Sequence, residues 1–270
     1  MNLTTTVIDP KLITASDRLR LVEALYQTHN QIFDGVDKDE FTKYVIDSKA
    51  NETQILLQKH QENIVGYGAI HFYKFDTIEE RIAVVRMEVG FLPAYRRGNN
   101  HYHTFALAQI IKFLLKNTDR KLYFLGSLVH PSSYVSLTNL TKAVWPRYDQ
   151  PAPSESIALI VSRLSEIFDF KHVQPSNPHV VKVGWKTREP AMTKLPEHEL
   201  KTAAKFYIQQ NPEYKEGNGL ITIIPLNFKV LADVSVALFK RKRKLKMNQF
   251  KDSMRHRIAD NRAVNLLRAS

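Results

Sequence analysis

Residues 80–117 read ERIAVVRMEVGFL, then PAYRRGNN, then HYHTFALAQIIKFLLKN, and this stretch decides the fold. Glu80–Leu92 is rich in Val, Ile and Phe, residues that suit a pleated, half-buried surface. Residues 93–100 carry Pro, Gly, two Asn and two Arg, and so form a basic turn. His101–Asn117 places Phe105, Leu107, Ala108, Ile111, Leu114 and Leu115 on one side of an amphipathic helix. A strand therefore feeds a glycine-containing turn that opens a helix. Such a turn exposes backbone N–H groups at the positive end of the helix dipole, where an anion is favoured. Arg96 and Arg97 would add charge-assisted bonds to phosphate oxygens. The alternative is an ordinary solvated loop.

Elements can be placed outward from this core. Upstream, Thr5–Ile8 reads as a short strand. Ser16–Phe33 reads as a helix capped by Ser16, and Asp37–Ser48 as a second helix. Thr53–Gln58 and Asn63–Phe75 are strands joined to each other and to Glu80–Leu92 by the polar breaks HQEN and DTIEE. Downstream, Lys121–Val129 is a nearly continuous apolar strand, hence central. Ser132–Trp145 follows as a helix ended by Pro146. Beyond a loop at 148–154 come a helix at Glu155–Phe168, a strand at His179–Trp185, helical character over Pro196–Gln210 and a strand at Leu220–Leu226.

Composition bounds the chemistry. With 43% hydrophobic and 24% charged residues over 270 positions, the chain can bury its own core. It has no cysteine, which excludes thiol catalysis, thiolate metal sites and disulfides, and fits a cytoplasmic setting. No signal peptide or 18-residue apolar run is evident. His101 and His103 share a helix start but not a helix face, so no metal site is expected. The net charge of +12 is uneven: from Phe228 onward, twelve Lys/Arg and three Asp carry +9. The body, residues 1–227, is nearly balanced, and the basic helical extension 228–270 makes the protein basic.

The order strand, two helices, three antiparallel strands, basic loop, helix, strand, helix over residues 5–145 resembles the GNAT acyltransferase superfamily. Local residues carry the resemblance. Glu88-Val-Gly-Phe-Leu-Pro-Ala-Tyr-Arg is similar to the family's Glu-x-x-Val-x-Pro-x-Tyr-Arg, with Phe91 at the aliphatic position, and Gly66-Tyr67-Gly68 is similar to the start of the family's preceding strand. The family loop usually holds two or three glycines. Here Gly98 stands alone beside Asn99 and Asn100, which tolerate positive φ better than most residues.

The resemblance implies an α/β (α+β) fold: a mixed, mostly antiparallel twisted sheet flanked by helices. It implies acyl transfer from acyl-CoA, as co-substrate, to an amine acceptor. The donor would meet the backbone of Phe91 and Leu92 and the loop Arg96, Arg97, Gly98, Asn99 and Asn100. Glu88 would be the base and Tyr134 the acid, with His130, Ser132 and Ser133 in reserve. Read as residues alone, Glu88 is a surface strand carboxylate paired with Arg86 or Arg81, and Tyr134 a packed or half-exposed ring. A GNAT-like protein without catalysis remains the alternative.

The resemblance further implies that Val180–Trp185 and Leu220–Leu226 close the sheet. Trp185, Lys186, Arg188, Phe206 and Tyr207 are candidate walls of the acceptor pocket. The tail VLADVSVALFKRKRKLK is open to three readings: a helix docked on the body, a peripheral membrane contact through residues 228–250, or contact with nucleic acid, the least favoured. An acidic acyl-carrier protein is a further candidate partner for it.

Overall fold

The computed structural model describes residues 3–76, 80–96, 101–150, 152–174, 177–188 and 201–268. Arg97, Gly98, Asn99 and Asn100 lie outside these residues. The elements in chain order are β1 (Leu3–Ile8), α1 (Ala15–Asn30), β2 (Phe33–Asp34), α2 (Lys38–Val45), β3 (Glu52–His60), β4 (Asn63–Asp76), β5 (Arg81–Phe91), α3 (Tyr102–Lys116), β6 (Lys121–Leu128) and α4 (Pro131–Thr138). There follow α5 (Glu155–Ile167), β7 (His172–Gln174), β8 (Asn177–Lys182), β9 (Lys186–Thr187), α6 (Thr202–Gln210), β10 (Asn218–Leu226) and α7 (Phe228–Arg268).

Eight strands form one sheet in the order β1-β3-β4-β5-β6-β10-β8-β7, and β2 pairs with β9 apart from it. Within the large sheet only β5 and β6 run parallel. The strands at 218–226 and 177–182 do close the sheet beyond β6, both antiparallel. Side-chain alternation gives each face its own core. On one face Leu25, Phe41, Ile55, Tyr67 and Ala69 pack with α1 and α2, and Val84, Leu125, Leu164 and Ile223 pack with α5. On the other, Ile70, Phe72, Val85, Phe113, Phe124 and Tyr207 pack with α3, α4, α6 and the start of α7.

Several elements differ from their sequence reading. Helix α1 starts earlier, because Thr14 rather than Ser16 is the cap: its Oγ1 accepts from the Asp17 amide at 3.1 Å. The helix expected over Ser132–Trp145 stops at Thr138. The Thr138 carbonyl accepts from the Arg147 guanidinium, and Trp145 pairs with Ile223 as an isolated bridge, so the chain must leave the helix to reach the sheet. Strand β8 ends at Lys182, since Val183 and Gly184 both donate to the Gly217 carbonyl and Gly184 turns at φ +90°. Helix α3 presents Phe105, Ala106, Ile110, Phe113 and Leu114 inward, leaving Ala108 and Leu115 exposed. The tail is one helix, capped by Asn227, whose Oδ1 accepts from the Val230 amide. Its first turns bury Val230 and Leu231, whereas Val236 and Phe239 are exposed beside the basic run. Among the described residues no helix is long and apolar enough to cross a membrane.

Glycine decides two packing contacts on β4. A Cβ on Gly66 would stand 2.0 Å from the Phe91 ring, and one on Gly68 would stand 2.1 Å from the Tyr102 ring. Both rings come this close to β4 because these two positions lack side chains. Rings held this way cannot yield to a new methyl group. Gly68→Ala should therefore destabilise by about 1–3 kcal/mol, the usual cost of overpacking. At about 2–4 °C per kcal/mol the melting temperature should fall by several degrees in a thermal unfolding scan. An unchanged melting temperature would mean that Tyr102 is not held there.

Candidate functional site

Strands β5 and β6 are hydrogen-bonded only over Ile82–Val85 and Lys121–Phe124. Beyond that rung β5 continues to Phe91, held by β4, and β6 continues to Leu128, held by β10. Each strand follows its own outer neighbour, and sheet twist drives the two apart. The result is a V-shaped gap in mid-sheet. The Leu92 amide donates to the Val65 carbonyl at 3.0 Å. Antiparallel alternation then turns the peptide groups of Val89 and Phe91 away from β4, into the gap. The Phe91 carbonyl accepts from Arg96 Nε at 2.9 Å. Phe91 thus borders the gap, while the Leu92 amide is already committed. A cavity of about 820 Å³ fills the gap and reaches both faces of the sheet.

On the α1–α2–α5 face the cavity meets Glu88, which is largely buried. Its Oε2 lies 2.8 Å from His71 Nε2, and His71 Nδ1 bonds Thr53 Oγ1 at 2.9 Å. The Glu88–His71 approach is close in distance but is not aligned as a hydrogen bond. Register explains the cluster: Thr53 lies opposite His71, and Glu88 lies opposite Ala69, one diagonal step from His71. The two arginines expected beside Glu88 are elsewhere. Arg81 pairs with Asp119, and Arg86 lies 5.0 Å from the Phe168 ring centre and 5.4 Å from that of Phe170. Phe33 and Trp185 wall this end, their rings 5.3 Å apart. Behind them His29 is enclosed by Phe33, Phe41 and Trp185, with Nδ1 2.9 Å from the Tyr67 hydroxyl. Burial, and then the Arg188 charge, lower its pKa to about 4.

On the opposite face the cavity meets Tyr102, His103, His130, Ser132 and Ser133. His130 caps α4: its Nδ1 accepts from the Ser132 amide at 3.2 Å and lies 2.7 Å from Ser132 Oγ. Burial, reinforced by Arg96, lowers its pKa to about 4, so the ring is neutral at pH 7. With Nδ1 accepting, the hydrogen-bond network assigns the proton to Nε2, which is buried and has no hydrogen-bond partner among the described residues. The Tyr102 hydroxyl is likewise buried without such a partner. Burial, with the Glu88 charge adding, raises its pKa well above the ordinary phenol value. Tyr134, by contrast, is fully buried away from the cavity lining, and its hydroxyl donates to the Pro146 carbonyl at 2.8 Å. Burial raises its pKa too. Phe206 and Tyr207 are core residues, the latter donating to the Leu128 carbonyl at 2.7 Å.

The fold is GNAT-like. The gap between the two parallel mid-sheet strands, a helix opening directly after the first of them, and antiparallel strands closing the sheet carry that statement. No family model matches the sequence, and no curated protein does. Among solved structures the chain is similar to Arabidopsis thaliana NAA60 in complex with acetyl-CoA, at 16% identity over 50% of this chain and 83% of that one, with a TM-score of 0.35. It is also similar to a predicted acetyltransferase with acetyl-CoA from Clostridium acetobutylicum, at 17% identity over 50% and 88%, with a TM-score of 0.34. A third is an aminoglycoside acetyltransferase from an uncultured soil sample in complex with sisomicin, at 13% identity over 52% and 87%, with a TM-score of 0.32.

His29, His103 and His130 all have pKa values lowered to about 4, so each protonates in the unfolded chain near pH 6.5 but in the folded chain only near 4. Their stabilising effect is complete above pH 6.5 and is lost as pH falls toward 4. Urea unfolding should therefore show stability declining below pH 6.5. His29→Gln should remove about 2 kcal/mol of that decline by pH 4.5. A mutant slope equal to the wild type would contradict a neutral, buried His29.

Proposed function

We propose that the protein transfers an acyl group from an acyl-CoA thioester to an amine. The observation that carries this reading is the gap between β5 and β6, which joins one cavity to both sheet faces with unpaired strand backbone along its edge. An extended, amide-bearing donor arm can pair with the peptide groups of Val89 and with the Phe91 amide, as a strand would, the Phe91 carbonyl being held by Arg96. Arg96, fixed on the Phe91 carbonyl, stands between that edge and the start of α3, where a phosphate is favoured. The amine would approach from the other face, along the wall made by Phe33 and Trp185.

Direct transfer then needs two proton movements. The amine attacks the thioester carbonyl, a C–N bond forms, and Glu88 takes the proton that the nitrogen must lose. His71, bonded to Thr53, holds the Glu88 carboxylate at the cavity wall as a positioning residue. The C–S bond breaks, and the departing thiolate needs a donor. We assign that role to the Nε2–H of His130 rather than to Tyr134, whose hydroxyl is committed to Pro146. The neutral ring supplies a hydrogen bond to the sulfur, and the thiolate finally takes its proton from water.

Glu88→Gln keeps the side-chain volume and removes the base. Turnover with a primary-amine acceptor should fall by about 10²–10⁴-fold. The rise in melting temperature produced by acyl-CoA should persist, because binding to the folded state alone causes it. Full activity in the variant would remove Glu88 from the mechanism, and absence of any CoA-dependent shift in the wild type would remove the donor.

A further inference from the structure

We propose that the part of the cavity between α3, α4 and α7 is a channel for a medium or long aliphatic acyl chain, so that the group transferred is a fatty acyl group rather than acetyl. This rests on the acyl-transfer reading above and specifies its donor. On the α3 face the cavity continues from the gap past Leu107 and Ile110 of α3, Leu137 of α4, Ile224 of β10, and Leu231 and Val234 of α7. All six side chains are aliphatic, and none offers a hydrogen bond. Ser136 and Thr141 also line the cavity beside α4, but these six side chains make a continuous aliphatic wall of the kind that accepts an apolar ligand.

The register gives the channel a direction. Ile224 lies opposite Phe124, and Phe124 opposite Val85, the last paired rung below the gap. The aliphatic end is thus the floor beneath the fork. The polar end lies above, at His103 in the first turn of α3 and at Arg241 of α7, whose charge helps to depress the His103 pKa. Between Leu231 and Arg241 helix α7 advances roughly 15 Å at 1.5 Å per residue. That length suits a chain of many methylenes and far exceeds an acetyl group. Both ends of the lining fit one ligand: apolar tail on the floor, carbonyl at the fork, charged carrier at the mouth.

Helix α7 is what makes the space a channel. Leu231, Val234 and Leu238 of α7 supply the wall that faces the α3 side chains across it. Val234 and Leu107 are only partly buried, so a larger side chain at either can enter the channel without rebuilding the core.

The test measures binding to the full-length chain by calorimetry, using CoA, acetyl-CoA, dodecanoyl-CoA and free dodecanoate, with wild type, Val234→Trp and Leu107→Trp. In wild type dodecanoyl-CoA should bind at least tenfold more tightly than acetyl-CoA, and the ratio should collapse toward one in both variants. Equal binding of the two thioesters, or a chain-length ratio that survives both tryptophans, overturns the channel. If dodecanoate binds wild type but neither variant, and no CoA compound binds at all, the channel stands and the acyl-CoA donor falls. If neither dodecanoate nor any thioester binds folded protein, both fail.

Discussion

The site depends on a competition between neighbours. Strand β5 is paired along its whole length with β4, and β6 from Leu122 to Leu128 with β10, but the two central strands share only four rungs. The longer ladders dictate direction, and twist opens the sheet where the short ladder ends. Backbone groups left facing the gap are donors and acceptors that water or a ligand must satisfy. The gap is thus a consequence of strand pairing and needs no special loop to create it.

The surroundings of the gap follow from it. Gly66 and Gly68 let Phe91 and Tyr102 lie against β4, so the strand edge stays open while the space behind it is filled. Glu88 comes through on the opposite face beside His71. A carboxylate there stands within a mostly aromatic wall, and the imidazole bonded to Thr53 is the polar group that meets it. On the α3 face His130 does two tasks with two nitrogens: Nδ1 caps α4, and that commitment leaves Nε2–H for the cavity. The basic character of the chain has a structural place as well, since α7 carries Arg241 to the mouth of the cavity and leaves Lys242, Arg243 and Lys244 exposed just beyond it.

Much of this was legible in the sequence. Residues 80–117 identify strand, turn and helix because apolar periodicity changes there from two to near four. The strand at 218–226 was visible as an apolar run. What was not legible depended on register and on tertiary capping. The Thr53–His71–Glu88 cluster needs three strands aligned to the residue, and the turns HQEN and DTIEE do not fix that alignment. The helix after β6 was read too long because Trp145 belongs to the sheet, a contact 78 residues away at Ile223. Tyr134 suggested an acid by its position in the chain, yet packing gave its hydroxyl to Pro146. Tyr102 carries no signal in the sequence and His130 stands there only behind Tyr134; burial without a partner is what distinguishes both.

The central claim is that an extended ligand pairs with the open edge of β5. Residue-resolved hydrogen exchange of the Val89 and Phe91 amides, with and without saturating acyl-CoA thioester, addresses it directly. Those two amides should exchange markedly more slowly in the complex, while the Leu92 amide, already bonded to Val65, should change little. A thioester that binds the protein but leaves the exchange of Val89 and Phe91 unaltered would contradict the account.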